Sequence, residues 1–154
     1  MSLVFLDTSA LIKEYVDEVG SAWVKALIAQ GPVSTVFVSQ LSAVEAACAF
    51  ARRRREGTLL GTNYPRVLAL AEYDFAYRFN VLDVEPTLID AAKRLADRHP
   101  LRAYDALQLA TAHQANDILG RAAQPPLIFV TADDRLLAIA QDEGLLTDNP
   151  NLHP

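Results

Sequence analysis

A single cysteine, Cys48, leaves this chain of 154 residues without a partner for an internal disulfide, and the expected setting is a reducing cytoplasm. The six glycines are scattered, so there is no phosphate-cradling loop and no dinucleotide fingerprint. No apolar run approaches the roughly 18 residues that cross a bilayer. The opening Met1-Ser2-Leu3-Val4 has no basic segment of the signal-peptide kind, so neither membrane nor export is expected. Positive charge is also scarce: 14 Lys and Arg face 19 Asp and Glu, a net charge of −5. That balance argues against a protein that grips nucleic acid by bulk electrostatics, and leaves room for a local basic patch. A nucleic-acid substrate would need metal ions or an arginine cluster at the point of contact. His99, His113 and His153 have no ligand spacing among themselves, which argues against a zinc site.

What the chain does have is apolar residues, about half of its composition, enough for one domain around one core. Leu3 to Leu6 and Leu127 to Val130 are uninterrupted apolar runs of the kind that fits strands covered on both faces. Val36-Phe37-Val38 and Val81-Leu82-Asp83-Val84 read as two further strands, and Leu145 to Thr147 as a short fifth at the sheet's edge. Between them, helices are expected near 9–14, 20–30, 40–56, 67–79, 86–98, 103–119 and 134–142, with Gly61 and Pro65 interrupting the chain before the fourth. Strands alternating with helices predict an α/β fold, a parallel sheet of four or five strands with helices on both faces. Residues 149–154 read as a frayed C-terminal tail.

The acids fall at the junctions of these elements. Asp7 ends the first strand, Asp133 follows the fourth, Glu45 lies early in the helix after the second, and Asp105 lies in the first turn of a helix. Each has an ordinary local role available, as an N-cap, in a capping box with Ser42, or as a first-turn acid favoured by the helix dipole. Together they can converge on the carboxyl edge of one sheet, where ligands of open α/β folds bind. Gathered carboxylates repel one another unless a cation sits among them, and an all-oxygen set suits Mg²⁺ or Mn²⁺.

Asp7-Thr8-Ser9-Ala10-Leu11-Ile12-Lys13, Glu45 within an apolar helix, Leu101 to Ala112 around Asp105, and Val130-Thr131-Ala132-Asp133 together resemble the PIN-domain ribonuclease family, and within it the VapC-type toxins of prokaryotic toxin–antitoxin pairs. The resemblance implies a PIN-like nuclease domain over residues 1–148. It implies a divalent-metal endoribonuclease whose catalytic and metal-binding acids are Asp7, Glu45, Asp105 and Asp133. Asp134 is a second acid at the fourth position, and the sequence leaves open whether it shares or replaces the role of Asp133. Thr8, Ser9 and Thr131 match small polar positions of the family, and they suit either ligand-orienting or capping roles. Arg102, three residues before Asp105, is placed to reach a phosphate.

The resemblance also implies partners: an RNA substrate, a homodimer, and a VapB-type antitoxin that inserts a basic side chain near the acids. The apolar content of 67–79, with Leu68, Leu70, Tyr73, Phe75 and Tyr77, exceeds one core-facing stripe and suits such a surface. Arg52 to Arg55 is the only dense basic run; it fits solvated cations at a helix C-terminus or a docking patch. Two alternatives compete. One is a PIN-like module that binds RNA or protein without cutting. The other is a haloacid-dehalogenase-like phosphatase, which needs a second Asp where this chain has Ser9.

Overall fold

The structure is a computed structural model that describes residues 2–154, the side chain of Pro32 excepted. Its sheet is built from β1 (Ser2–Leu6), β2 (Ser34–Ser39), β3 (Asn80–Leu82), β4 (Ile128–Val130) and β5 (Leu146–Asp148). They run in the order β3-β2-β1-β4-β5, and every neighbouring pair is parallel. The helices are α1 (Thr8–Leu11), α2 (Ser21–Ala29), α3 (Leu41–Arg55), α4 (Tyr64–Tyr77), α5 (Pro86–Arg98), α6 (Ala103–Arg121) and α7 (Asp134–Asp142). A 3₁₀ turn, Ile12–Glu14, prolongs α1.

β1 is central and covered on both faces, which is why its residues are apolar without alternation. Leu3 and Phe5 point into a cluster with Leu88, Leu95, Leu109 and Phe129 beneath α5, α6 and α7. Val4 and Leu6 point the other way, against Ala10, Leu11, Val24 and Ile28 of α1 and α2. A third cluster joins α3 to α4 through Ala46, Phe50, Val67 and Ala71, with Ile12 beside them. After β1 the chain builds outward through β2 and β3, then returns to the other side of β1 for β4 and β5. The crevice between the carboxyl ends of β1 and β4 is therefore the switch point of the sheet, the place where such folds bind ligands.

Two expectations need correction. Pro65 does not interrupt the chain before the fourth helix. It lies in the first turn of α4, where a missing N–H costs nothing because those amides have no helical partner. The last residues are not frayed. Pro150–Leu152 forms a 3₁₀ turn capped by Asn149, whose side chain accepts the Asn151 amide. Asn149 is buried, and Trp23 of α2 stacks on His153 with centroids 4.4 Å apart. Gly20 completes this docking: it has φ +82°, and any Cβ there would fall on the Pro150 carbonyl, so the site demands glycine twice over.

Candidate active site

Asp7 leaves β1 in an extended conformation and caps α1, so the capping role and a place at the sheet edge are the same geometry. Its Oδ1 accepts the Ala10 amide at 2.9 Å and the Ser9 hydroxyl at 2.7 Å, and its Oδ2 accepts the Thr131 hydroxyl at 2.8 Å. The residue is only 5% exposed. Burial pushes its carboxyl up to about 6, against the pull of those three hydrogen bonds, and the negative charge of Glu45 adds to the rise.

Glu45 stands in the second turn of α3. The capping box with Ser42 does not form: the N-cap of α3 is Gln40, with no side-chain cap. Instead Oε1 of Glu45 accepts the Thr8 hydroxyl at 2.9 Å and Nε2 of Gln108 at 2.7 Å. The Ser42 hydroxyl accepts Nε2 of the same glutamine at 2.9 Å.

Asp133 caps α7, Oδ1 accepting the amides of Arg135 and Leu136 at 2.9 and 3.1 Å. Its own amide donates to the Thr131 hydroxyl at 3.1 Å, and the Ala132 amide donates to Ser9 Oγ at 2.9 Å. Asp105 sits in the first turn of α6. Burial raises its carboxyl above the usual range, the nearby charge of Asp133 raises it further, and Arg135 and Arg102 oppose the rise. Arg135 approaches Asp105 to 3.6 Å.

The four acids thus lie around one edge as two electrostatically coupled pairs, Asp7 with Glu45 and Asp105 with Asp133. Thr131 bridges the Asp7 carboxylate to the Asp133 backbone. Gln108, one helical turn beyond Asp105, reaches Glu45. Among the described residues, no three His, Cys, Asp or Glu side chains are close enough to hold one ion together. Pairs fit the chemistry of Mg²⁺, which keeps several waters and takes one or two carboxylates. The donor set is all oxygen, and neither Oε2 of Glu45 nor Oδ2 of Asp133 has a hydrogen bond among the described residues. The strain of an ionised Asp7 buried near Glu45 is what a bound cation would relieve. The residues present therefore fit a hard divalent cation.

The remaining sequence candidates divide. Thr8, Ser9 and Thr131 all contact the acids. Asp134 turns away: its Oδ1 accepts Nδ2 of Asn149 at 2.7 Å, clamping the C-terminal turn to α7. Arg102 is exposed at the N-terminus of α6. Half of the basic run is engaged within the fold, Arg53 pairing with Glu18 at 2.7 Å and Arg54 lying over the Tyr64 ring, while Arg52 and Arg55 are exposed. Gln108, Ser42 and Arg135 were not among the sequence candidates. Gln108 had a readable signal, a lone amide on the otherwise apolar stretch 106–110.

A single domain with a parallel sheet and acids around the switch point is the class these features define. The PIN domain family matches residues 4–142, and the chain belongs to that family. That membership sets aside the phosphatase alternative. No curated protein matches the sequence significantly. Among solved structures the chain is similar to FitAB bound to an IR36 DNA fragment, at 19% identity and TM-score 0.64, over 96% of this chain and 94% of that one. It is similar to a toxin–antitoxin complex from Klebsiella pneumoniae, at 20% identity and TM-score 0.58, over 96% and 97%. It is similar also to VapC20 from Mycobacterium tuberculosis, a sarcin–ricin loop cleaving toxin, at 18% identity and TM-score 0.61, over 93% and 96%. At such identities the likeness speaks for the fold.

Proposed function

We propose that this protein is a divalent-metal-dependent endoribonuclease and the toxin of a toxin–antitoxin pair. The observation that carries the reading is the placement of four acids around the switch point, Asp7 tied to the Asp133 turn through Thr131 and Glu45 held by Thr8 and Gln108. A bound Mg²⁺ or Mn²⁺ would supply an activated water and neutralise charge developing on the phosphodiester. Asp7 with Glu45, and Asp105 with Asp133, would each offer a pair of carboxylates to such a cation. Thr131 and Ser9 fix the rotamer of Asp7. Arg102 and Arg135, exposed beside Asp105, are placed to meet RNA phosphates. The structural relatives named for toxin–antitoxin complexes and for RNA cleavage support this reading.

A partner surface accompanies the site. Between α3 and α4 runs an apolar groove of about 820 Å³, lined by Val44, Ala47, Cys48, Leu68, Phe75 and Ala76. We assign it to a helix of a VapB-type antitoxin, which docks by its apolar face. A basic side chain from that partner would compete with metal for the acids. Leu70, Tyr73 and Tyr77 are exposed on α4, and we assign the protein a homodimeric state.

Purified protein freed of contaminating nuclease should cleave a mixed RNA substrate with Mg²⁺ or Mn²⁺ and lose cleavage with EDTA. Cleavage that persists in EDTA, or in Asp7→Asn, refutes the metal-nuclease reading. Binding of RNA without cleavage under any divalent cation would establish the binding-module alternative instead.

A further inference from the structure

Gln108 is a buried polar side chain held among the acids. It is 2% exposed, and its Nε2 faces three oxygens: Glu45 Oε1 at 2.7 Å, Ser42 Oγ at 2.9 Å and Thr8 Oγ1 at 3.1 Å. A carboxylate only accepts hydrogen bonds, so the amide must turn its NH₂ toward Glu45. The result is that Oε1 of Gln108 is buried with no partner. Leaving a buried amide oxygen unpaired is a cost to the fold.

We propose that Gln108 is the positioning residue of Glu45: its Nε2 pins Oε1, fixing the carboxylate's rotation so that Oε2 is the oxygen offered to a divalent cation. A glutamate has three side-chain torsions to order, and an unpinned carboxylate loses that rotamer freedom only on binding the ion. Thr8 supplies the second donor to the same oxygen. Because Gln108 lies one turn after Asp105 on α6, the contact also ties the Asp105–Asp133 pair to the Asp7–Glu45 pair across α3. Nothing on Gln108 itself reaches a reacting atom; it acts through Glu45. The inference rests on the metal-site reading above.

The test uses Mn²⁺ alone as the probe, by calorimetry and electron paramagnetic resonance on the full chain without RNA. Gln108→Leu and Gln108→Met are expected to bind Mn²⁺ 10- to 100-fold more weakly, the range for losing the partner of a metal ligand. Their melting temperatures in EDTA report separately the cost of taking the donor from the buried Ser42 hydroxyl, which the loss of the unpaired amide oxygen offsets in part. In a Glu45→Gln background the same substitutions should change Mn²⁺ affinity less than twofold, since a residue acting only through Glu45 has nothing left to position. Thr8→Val, which removes the other donor to Oε1, should weaken Mn²⁺ in the same direction and serves should both Gln108 variants fail to fold. Variants that bind Mn²⁺ within twofold of the parent, or equal losses in both backgrounds, overturn the role of Gln108 while leaving the metal site standing. A parent that binds no Mn²⁺ overturns the metal-site reading itself, and this inference with it.

Discussion

Thr131 donates its hydroxyl to Asp7 Oδ2 at 2.8 Å, joining positions 124 apart in sequence at the switch point of the sheet. Thr131 Oγ1 in turn accepts the Asp133 amide at 3.1 Å, and Thr131 is fully buried. One hydroxyl therefore sets the rotamer of the acid after β1 and the turn that carries the acid after β4. Thr131→Val keeps the shape and removes the hydroxyl. It should cost about 1–3 kcal/mol of stability, the penalty for leaving buried partners unsatisfied, and lower RNA cleavage by at least tenfold. Thr131→Ser should restore most of both. Valine with full activity would show that Asp7 needs no such support.

Asp7 should make the metal-free protein sensitive to pH. Its carboxyl is pushed from 3.8 up to about 6 by burial. A raised value means that the fold favours the protonated form. The stability Asp7 contributes is complete below 3.8 and is lost as pH rises through about 6, an amount on the order of 3 kcal/mol for a shift of this size. Asp7→Asn removes the titration. In EDTA it should therefore stabilise the protein at pH 8 and not at pH 3.5, as read by denaturant unfolding. Equal effects at the two pH values would mean that Asp7 ionises without penalty.

Asp133 and Asp134 are adjacent, and the structure gives them different partners. Asp134 Oδ1 accepts Nδ2 of Asn149, and Asn151 Nδ2 donates weakly to the Ala132 carbonyl at 3.4 Å. Asp134→Ala should thus loosen the C-terminal turn, costing about 1 kcal/mol, and retain most RNA cleavage. Asp133→Asn keeps a capping oxygen for α7, so stability should change little, and cleavage should fall by at least 100-fold. The reverse pattern would assign the fourth acid to Asp134.

The sheet was legible because β1 and β4 are buried on both faces, which forces Leu3 to Leu6 and Leu127 to Val130 to be apolar throughout. The places of Asp7 and Asp133 followed from those strands. The partners of Glu45 were not legible. Ser42-Ala43-Val44-Glu45 has the pattern of a capping box, yet the competing donors Thr8 and Gln108 come from elements distant in sequence, and tertiary contacts won over the local ones. The C-terminal segment misled for the same reason. Its Pro and Asn content suggests fraying, but Asn149 is satisfied by α7 and Pro150 packs against Gly20.

The groove between α3 and α4 gives the last prediction, because it separates inhibition from catalysis. Val44 is 59% exposed, and Ala47 and Cys48 lie beside it on the open side of α3, away from the Glu45 contacts to Thr8 and Gln108. A charged side chain on that exposed face meets water in the free protein and costs the fold little. Against an apolar helix it would be desolvated without a partner, a penalty of several kcal/mol. Ala47→Glu should therefore leave folding and RNA cleavage intact and weaken binding of an antitoxin helix at least tenfold. Cys48 offers a second readout, since it is a free, exposed thiol in the groove. Bound antitoxin should protect Cys48 from a maleimide, and prior labelling should block inhibition while leaving cleavage unchanged. An antitoxin that inhibits labelled and unlabelled protein equally well docks elsewhere.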